Sequence, residues 1–329
     1  LLERSYLYSF QAKEIQRILK SIPLGVTVIF GAVTANPKFK SGNGKPFYNS
    51  AIVAEKGRVI RVVHKQLLPS YDIFDDSRFF QPGVKTEILP IKGFGRVAVT
   101  ICEDMWAISS HRYMKDPFKD IKNVNLIINL SASPFSAVKQ GMRVETARAH
   151  VRRIKAPFVY VNQVGGQDEV IYDGRSFVLD EKGQVVLEAP GFREGITYFD
   201  NKKFLSHSKI NKAQLLRQAL VLGIKDFAKK TGQDKIHLGL SGGIDSALAA
   251  CLASEALGPE NVTGLLLPGP FSSEGSVTDA LSLARNLGIK TLKVDINAMY
   301  NLGLDLLGVY EHQAHQNKSE YKELARQNL

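Results

Sequence analysis

Short apolar runs separated by turn residues follow one another through residues 25–200. Two pairs of these runs flank a Lys-Gly dipeptide, at 56–57 and at 182–183, which is typical of a β-hairpin. One longer segment, 138–154, has the pattern of a basic helix. Hairpins mixed with buried strands predict a layered sheet structure with helices on the outside. The predicted strands are 26–33, 51–54, 59–64, 96–102, 126–130, 158–161, 176–179 and 185–187.

The pattern changes after residue 200. Residues 200–211 are polar and aperiodic, which predicts a linker, and we place a domain boundary between 1–205 and 206–329. Beyond the linker, apolar side chains recur at helical spacing, and Gly232 is a suitable helix stop. The residues that define this predicted apolar face are Leu216, Leu220, Ile224 and Phe227.

Strands and helices alternate in the rest of the chain. Strands are predicted at 236–240, 262–267 and 289–296, with helices from 244 to 257 and from Ser276 onward. Ser276 and Asp279 resemble a capping box at the start of the second helix. This alternation predicts a parallel sheet.

Composition adds few constraints. A chain of 329 residues suggests two domains. With 44% hydrophobic and 23% charged residues it has the make-up of an ordinary globular protein. The formal net charge of +11 fits either an anionic partner or simple solubility. Because no basic patch is interleaved with aromatic residues, we expect no nucleic-acid partner.

Two cysteines, Cys102 and Cys251, are too few and too far apart for a disulfide framework. This favours a reducing, cytoplasmic location. No apolar run approaches the roughly 20 residues that a membrane span needs, so no membrane partner is expected. The chain begins Leu-Leu-Glu-Arg and ends in the charged run KSEYKELARQNL. Both ends have the pattern of cuts inside a longer sequence.

The string SGGIDS lies between a predicted strand and a predicted helix, where free backbone N–H groups and the helix dipole favour an anion. Glycines allow the sharp turn and a close approach of phosphate. Asp245 would repel a phosphate unless Mg²⁺ lay between them. The loop lacks the GxxxxGK[ST] spacing and its lysine, so it is better suited to holding pyrophosphate as a leaving group. The candidate ATP-binding residues are Gly239, Leu240, Ser241, Gly242, Gly243, Ile244, Asp245 and Ser246, with Asp245 as the candidate metal ligand.

A glycine-rich turn with a side-chain cap is the plainer interpretation of two adjacent glycines, but the whole string in its context favours a nucleotide site. SGGIDS resembles the loop of the N-type ATP pyrophosphatases. The following run, PGPFSSEGSVTDA, is similar to the NAD synthetase family, with matches at Ser272, Ser273, Glu274 and Asp279. The resemblance implies a Rossmann-like parallel α/β domain of the adenine nucleotide alpha hydrolase type that uses ATP and Mg²⁺.

Cys102 ends the apolar run of VAVTICEDMW. A cysteine there is usually a small buried hydrophobe. The neighbouring carboxylates, Glu103 and Asp104, would raise the pKa of the thiol, so activation as a nucleophile needs a cation. The candidate cation is Lys65, in VVHKQLLPSYDIFDDSRFF, although a lone lysine after a strand is usually a solvated surface residue.

Together these segments resemble the nitrilase superfamily, whose triad is Glu-Lys-Cys. HKQLLPSYDIFDDSRFF and ICEDMW match its lysine and cysteine motifs, and INLSASPF and YVNQVGGQDEVIYDGRSFVLD match its glutaminase branch. The resemblance implies an αββα sandwich in which Cys102 attacks an amide. Lys65 and the backbone N–H of Glu103 would then stabilise the oxyanion. The implied glutamine-binding residues are Tyr71, Ser133 and Lys139.

The chain departs from this family pattern in two respects. Asp76 stands where the family usually has Glu, which keeps the charge on a shorter arm. The general-base Glu has no counterpart, and we expect it upstream of residue 1, since Glu3 is not a substitute. The later synthetase motifs are expected beyond residue 329.

The combined resemblance implies a ligase with ATP and Mg²⁺ as cofactors. Glutamine would be hydrolysed through a thioester, and the ammonia would displace AMP from adenylated deamido-NAD. The expected partners are glutamine, deamido-NAD, ATP and further copies of the chain in a homo-oligomer. Two alternatives remain open: an amidotransferase with another adenylated acceptor, and a module that binds nucleotide without turnover.

Overall fold

The structure is a computed structural model that describes residues 5–39, 44–108, 113–199 and 211–311. Most of the predicted linker, residues 200–210, lies outside the described residues, as do Glu3 and the C-terminal charged run. The chain forms two compact units. Unit 1 comprises residues 1–165 and 170–215, and unit 2 comprises residues 166–169 and 216–329.

Unit 1 contains a three-stranded antiparallel sheet, β1-β2-β3. Its strands are β1 (Val28–Ala35), β2 (Phe47–Glu55) and β3 (Arg58–His64). The turn between β2 and β3 places Gly57 at φ +74°, a conformation that favours glycine, so the predicted hairpin is present.

The larger sheet of unit 1 has six strands in the order β11-β10-β7-β6-β5-β4. Its centre, β5-β6-β7, is parallel, and antiparallel strands flank it on both sides. The strands are β4 (Glu87–Ile91), β5 (Gly95–Ile101), β6 (Leu126–Ser131), β7 (Phe158–Asn162), β10 (Phe177–Leu179) and β11 (Val185–Glu188). A separate short hairpin is formed by β8 (Val164–Gln167) and β9 (Val170–Asp173).

The three-stranded sheet and the six-stranded sheet form the middle layers of a sandwich. Ala51 and Val63 from the small sheet pack with Val97 and Val99 from the large one in a shared apolar core. Helix α1 (Ser5–Ser21) covers the other face of the small sheet. Helix α3 (Lys139–Ile154) covers the other face of the large sheet through Ala147 and Val151, among others. The predicted αββα arrangement is therefore confirmed.

Several elements of unit 1 had too little signal to be predicted. Strand β4 is only five residues long and contains Pro90, which the structure tolerates because β4 is an edge strand. Helix α1 has few buried apolar residues. The short α2 (Asp76–Phe79) and the 3₁₀ helix Cys102–Ile108 are single turns set by their surroundings.

Unit 2 contains a parallel sheet in the order β12-β13-β14, which confirms the parallel prediction. The strands are β12 (Ile236–Gly239), β13 (Val262–Leu266) and β14 (Lys290–Lys293). The helices are α4 (Lys212–Thr231), α5 (Ile244–Leu257), α6 (Glu274–Leu287) and α7 (Asn297–Glu311), with a 3₁₀ turn at Pro259–Asn261. No helix among the described residues is both long and apolar enough to cross a bilayer.

Two details of unit 2 correct the sequence predictions. Helix α6 begins at Glu274, and its N-cap is Ser273, whose hydroxyl accepts a hydrogen bond from the Ser276 N–H. Ser276 and Asp279 therefore do not form the cap, because the true cap is three residues earlier. In addition, β14 covers only half of the predicted 289–296 strand.

The buried face of α4 also differs from the prediction. Leu216, Leu220 and Phe227 are exposed, whereas Leu215 and Ala219 are buried. Leu215–Leu216 and Ala219–Leu220 are adjacent apolar pairs, so two apolar stripes run side by side on the helix. Spacing alone cannot decide which of two neighbouring stripes is buried.

Candidate active sites

Cys102 lies where β5 ends and the 3₁₀ helix Cys102–Ile108 begins. Its φ of +43° is rare for a residue with a side chain and indicates a backbone held in a strained turn. The thiol is free and only partly buried. The turn thus presents a cysteine sulfur at the carboxyl edge of a parallel strand.

Lys65 follows the last residue of β3 and is buried, with 4% of its surface exposed. Its Nζ donates a hydrogen bond to Asp76 Oδ2 at 2.6 Å. Burial alone would lower the pKa of Lys65, but the charges of Cys102 and Asp76 outweigh it and raise that pKa above its usual value. Lys65 is therefore a cation placed beside the cysteine.

The surroundings of Cys102 keep its resting form protonated. Burial is the largest cause that raises the pKa of the thiol, and the Glu103 carboxylate adds to it. Lys65 acts in the opposite sense, as do hydrogen bonds from the Ala132 N–H and the Ser131 hydroxyl. The balance is a raised pKa, so the thiol needs a base before it can act as a nucleophile.

Asp104 joins the cysteine turn to the lysine segment. Its Oδ1 accepts the backbone N–H groups of Gln66 and Leu67, each at 2.9 Å, and its Oδ2 accepts the Ile101 N–H at 3.0 Å. Burial raises the pKa of this carboxyl to about 6. At neutral pH it is still a carboxylate, and it fixes the positions of Lys65 and Cys102 relative to each other.

Glu103 and Tyr71 form a second link near the cysteine. The Tyr71 and Tyr113 hydroxyls both donate to Glu103 Oε1 at 2.8 Å. Glu103 is buried, and the Tyr71 ring lies edge-on to Phe74. The residue after Cys102 thus ties a partly exposed loop, the one that carries Tyr71, to the cysteine turn.

The other two predicted glutamine-binding residues lie at the start of α3. Lys139 is the first residue of the helix, and its Nζ lies over the Trp106 ring, 4.9 Å from the centroid. Ser133 is buried in the loop after β6, where its Oγ accepts from Arg143 Nε at 3.2 Å. Both residues therefore lie beside the elements that surround the cysteine turn.

Arg143 is fully buried in α3 and makes a dense set of hydrogen bonds. Its Nη1 donates to both carboxylate oxygens of Asp173, at 2.8 and 3.0 Å, and to Gln140 Oε1 at 3.2 Å. Its Nη2 donates to the carbonyls of Ser133 and Pro134, at 2.8 and 3.0 Å. The guanidinium thereby sets the path of the loop that follows β6.

His150 contacts the 3₁₀ helix that begins at Cys102. It is buried, its ring stacks on Phe118 with centroids 3.7 Å apart, and its Nε2 donates to the Met105 carbonyl at 2.7 Å. Burial lowers the pKa of His150 to about 4. The neutral ring agrees with its contacts, because Nδ1 accepts a hydrogen bond from Arg153.

A cavity of about 580 Å³ lies beside the lysine segment. Its lining includes Gln66, Leu67 and Tyr113, but neither Lys65 nor Cys102. It therefore flanks the cysteine–lysine pair.

In unit 2 the predicted ATP loop connects β12 to α5. Its serines bond within the loop: Ser241 Oγ lies 3.0 Å from Ser246 Oγ, and Ser246 Oγ donates to the Gly243 carbonyl at 3.0 Å. Gly243 is the N-cap of α5, so the first N–H groups of the helix have no partner inside the helix. The loop is a preformed turn at a helix N-terminus.

Gly242 is required at its position in this loop. Its φ is +80°, and a Cβ there would lie 2.4 Å from the Ser276 carbonyl oxygen at the start of α6. The loop therefore packs directly on the backbone of α6. A cavity of about 340 Å³ lies between the two helices, lined by Gly243, Ser246 and Asp279 among others.

A second cavity of unit 2, about 410 Å³, opens at the carboxyl ends of β12 and β13. Gly239, Leu240 and Ser241 line it, and its position is the usual ligand crevice of an open parallel sheet. Asp245 lies in the first turn of α5 and is exposed. The described residues contain no group of three or more His, Cys, Asp or Glu side chains able to hold a metal ion.

The structure thus brings the predicted residues together in two sets, one in each unit. It adds residues that the sequence interpretation missed, namely Asp104, Arg143, His150, Tyr160 and Asp173. A signal existed for Arg143, because it lies four and eight residues before Ala147 and Val151 on the buried stripe of α3. A basic residue on an apolar stripe is the mark of a buried ion pair.

Two family models match the chain. The carbon-nitrogen hydrolase model matches residues 21–202, and the NAD synthase model matches residues 216–329. The first match lies almost entirely in unit 1, and the second match lies in unit 2.

Curated relatives share the same name. The chain is 39% identical over 311 residues to the glutamine-dependent NAD(+) synthetase of Synechocystis sp., covering 90% of this chain and 55% of that protein. It is 34% identical over 331 residues to the glutamine-dependent NAD(+) synthetase of Thermotoga maritima, covering 87% and 55%. The chain therefore spans about half the length of the curated relatives it matches.

A solved structure of a protein with the same name also matches this chain. The glutamine-dependent NAD+ synthetase of Acinetobacter baumannii, in complex with adenosine diphosphate, superposes with a TM-score of 0.83 at 31% identity. The alignment covers 97% of this chain and 60% of that one. The synthetase from Cytophaga hutchinsonii, at 18% identity and a TM-score of 0.74, shares the fold.

Proposed function

Since the chain belongs to the carbon-nitrogen hydrolase family and continues into a segment that matches the NAD synthase family, we propose that it is a glutamine-dependent NAD(+) synthetase. Unit 1 would hydrolyse glutamine, and unit 2 would bind the ATP that activates deamido-NAD. The observation that carries this proposal is the buried cation Lys65 beside Cys102 on a strained turn.

The chemistry proposed for unit 1 is nucleophilic catalysis. A base takes the thiol proton of Cys102, and the sulfur attacks the side-chain amide carbon of glutamine. Lys65 Nζ and the Glu103 N–H stabilise the oxyanion that forms. The C–N bond then breaks, ammonia leaves, and water hydrolyses the thioester to glutamate. Tyr71, Ser133 and Lys139 are proposed to orient the glutamine.

The base in this step is proposed to be a glutamate, as the family resemblance implies. The raised pKa of Cys102 is the physical reason that a base is needed. Asp76 pairs with Lys65, and Glu103 accepts two tyrosine hydroxyls, so both carboxylates already have structural partners.

The chemistry proposed for unit 2 is adenylation. The residues at 239–246 would hold the phosphates of ATP against the backbone N–H groups at the start of α5. The Asp245 carboxylate, exposed in the first turn, is a hard oxygen donor that fits Mg²⁺ completed by phosphate and water oxygens. Bound Mg²⁺ would neutralise phosphate charge. The carboxylate of deamido-NAD attacks the α-phosphorus, pyrophosphate leaves, and ammonia from glutamine displaces AMP to give NAD.

The partners are accordingly proposed to be glutamine, ATP and deamido-NAD. The names of its relatives, which give glutamine and NAD(+), and the adenosine diphosphate bound in one solved structure support this set. We also propose a cytoplasmic location and a homo-oligomeric state, with no role for nucleic acid.

The function is tested by measuring NAD formation by the full-length protein from deamido-NAD and ATP, with either glutamine or ammonium as nitrogen donor. Turnover with both donors supports the proposal. Glutamine hydrolysis without NAD formation would assign ammonia to another adenylated acceptor. Nucleotide affinity with no turnover of any kind would reduce the protein to a binding module.

Replacing Gly242 with alanine is expected to weaken ATP binding by the full-length protein. The new Cβ would meet the Ser276 backbone at 2.4 Å and require a left-handed conformation, so the loop must move. We expect at least about a tenfold loss of ATP affinity, which corresponds to roughly 1.4 kcal/mol. Isothermal titration calorimetry measures it.

The matched control for that loop is Gly243→Ala. Gly243 has φ −86°, and its added Cβ would meet only the Ser241 hydroxyl at 3.3 Å. It should bind ATP far better than Gly242→Ala. Equal affinity in the two variants would contradict the assignment of this loop as the phosphate cradle.

Replacing Asp104 with asparagine is expected to lower kcat for glutamine by about 100-fold, the size of effect that a small misplacement of reacting groups can have. The amide offers one acceptor oxygen where three N–H groups need two, so the lysine and cysteine segments lose their shared anchor. Steady-state glutaminase assays measure it.

The control for Asp104 is Asp120→Asn, an exposed aspartate of unit 1. It should leave kcat unchanged. If Asp104→Asn lowers stability but leaves kcat at the parental value, then Asp104 supports the fold without positioning the two reacting groups.

A further inference from the structure

Glu103 is a buried carboxylate whose partners are hydroxyl groups. Only 5% of its surface is exposed, and its Oε1 accepts the Tyr71 and Tyr113 hydroxyls, each at 2.8 Å. Among the described residues no lysine, arginine or histidine pairs with it, and none of its hydrogen bonds uses Oε2. Burying a carboxylate without a countercharge is costly, and each of its oxygens can accept two hydrogen bonds. Glu103 therefore has room for a cationic donor.

Lys139 is a cation on a neighbouring element that has no anionic partner among the described residues. Its Nζ lies 4.9 Å from the centroid of the Trp106 ring, and Trp106 belongs to the same 3₁₀ helix as Glu103. An aromatic face attracts a cation but carries no net charge to neutralise it. Around the helix that begins at Cys102 there are thus one anion and one cation, and they are not paired with each other.

A free α-amino acid carries the complementary pair of charges. Its α-ammonium has three N–H donors for a carboxylate, and its α-carboxylate accepts from an ammonium. In extended glutamine the α-nitrogen is four bonds, or roughly 5 Å, from the side-chain amide carbon. Because Glu103 directly follows Cys102, its side chain can reach an ammonium at that distance from the sulfur.

The two tyrosines place the Glu103 carboxylate beside the proposed substrate. Tyr113 lines the cavity of about 580 Å³ next to the lysine segment, so the carboxylate lies one hydrogen bond behind the wall of that cavity. Tyr71 is one of the proposed glutamine-binding residues. Both hydroxyls bond to Oε1, which fixes the orientation of the carboxylate and leaves Oε2 for a ligand.

We propose that Glu103 binds the α-ammonium of glutamine through Oε2 and makes unit 1 specific for amides of free α-amino acids. By the same charge argument, Lys139 binds the α-carboxylate. This inference rests on the proposed function, in which Cys102 attacks the side-chain amide, and it assigns the groups that recognise the other end of the substrate. Glutamine side chains within peptides are excluded, because their α-nitrogen is acylated and carries no charge.

Binding of the ammonium would also change the charge next to the sulfur. In the ligand-free chain the Glu103 carboxylate raises the pKa of Cys102, in addition to the larger effect of burial. An ammonium bound to this carboxylate would neutralise its charge, so the thiol becomes more acidic when the correct substrate is present. A binding role thus accounts for a carboxylate beside a nucleophile that it otherwise hinders.

The test compares the hydrolysis of L-glutamine with that of glutaramate, which is glutamine without its α-amino group. Ammonia release by the full-length protein is measured in the absence of ATP. The parental protein should prefer glutamine by about 100-fold in kcat/KM, in the range expected for removing one partner of a buried charge pair. Glu103→Gln should lower kcat/KM for glutamine by about 100-fold. It should leave kcat/KM for glutaramate undiminished, because that substrate has no ammonium to bind.

The glutamine side chain keeps a carbonyl oxygen for the two tyrosine hydroxyls, so Glu103→Gln preserves a purely structural role. Glu181→Gln, at an exposed glutamate of unit 1, is the matched control and should keep the full preference. Lys139→Met should keep the preference over glutaramate but lose the preference over γ-aminobutyramide, which lacks the α-carboxylate. An unchanged preference in Glu103→Gln, or equal losses for glutamine and glutaramate, would overturn the proposal.

Calorimetry on the full-length Cys102→Ala protein separates this inference from the proposed function, because binding needs no turnover. Adding Glu103→Gln should weaken the binding of glutamine by about 100-fold and leave that of glutaramate unchanged. If this selective loss is found but the parental protein does not hydrolyse glutamine, the recognition of the head group stands and the glutaminase assignment fails. If glutamine is hydrolysed but Glu103→Gln discriminates as the parental protein does, the glutaminase assignment stands and the inference fails.

Discussion

Cys102→Ala is expected to abolish glutamine-dependent NAD formation while leaving ammonium-dependent formation intact. Without the sulfur no thioester can form, so glutamine hydrolysis should fall by at least about 1,000-fold, as for other enzymes that lose their nucleophile. Ammonium reacts at the adenylated acceptor and needs no thiol. The measurement is NAD formation by the full-length protein, with each nitrogen donor at saturation.

Cys251→Ala is the matched control for Cys102→Ala. Cys251 is also free, and it lies on α5 of unit 2. It should retain both activities. A Cys102→Ala protein that still used glutamine would show that the nucleophile lies elsewhere, and loss of the ammonium reaction as well would show that the substitution damages more than unit 1.

A second test of the nucleophile uses a glutamine analogue that carries a diazoketone, which alkylates the nucleophile of glutaminases. The parental protein should gain one adduct on Cys102 and none on Cys251. Lys65→Met should slow the labelling, because the buried cation beside the sulfur lowers the pKa of the thiol. Labelling of Cys251 alone would contradict the assignment.

The sequence predicted the site where a short segment alone determines the local structure. A strand-like apolar run precedes each of Cys102 and Lys65, and each residue directly follows the last residue of a strand. Because β3 and β5 lie in different sheets, strand order did not predict that the two residues meet, and the family resemblance supplied that expectation. The loop after β12 could be predicted from the residues themselves, since Gly242 and Gly243 have few roles other than a sharp turn.

The sequence did not predict the role of a residue when that role depends on contacts with segments distant in the chain. Glu103 and Asp104 are adjacent carboxylates and had the same interpretation, yet only Glu103 acts mainly by raising the pKa of the thiol. Asp104 faces three backbone N–H groups, two of them from a segment nearly 40 residues away. No local pattern distinguishes these two side chains.

The α4 and α6 corrections have the same origin. On α4 two apolar stripes compete, and packing selects the one with Leu215 and Ala219. On α6 two serines three residues apart both precede acidic residues, and Ser273 is the cap because its backbone is extended. Helical periodicity predicts that a helix exists. Which face of the helix is buried and which residue begins it depend on tertiary contacts.

Arg143→Met is expected to destabilise unit 1 by about 3–5 kcal/mol, the cost of removing one partner from a buried ion pair. Methionine fills a similar volume but leaves the Asp173 carboxylate, 2% exposed, without its two hydrogen bonds. The Ser133 and Pro134 carbonyls lose their donors too. Urea unfolding followed by circular dichroism measures the change, with Arg152→Met on the exposed face of α3 as the control.

Removing both partners separates stability from function at this site. Arg143→Met combined with Asp173→Leu leaves no uncompensated charge, so much of the lost stability should return. Glutamine use should not return, because the loop with Ser133 still lacks the guanidinium that holds it. If the double variant recovered both stability and glutaminase activity, Arg143 would only neutralise Asp173. If Arg143→Met unfolded at the same urea concentration as Arg152→Met, the buried network would contribute nothing to the fold.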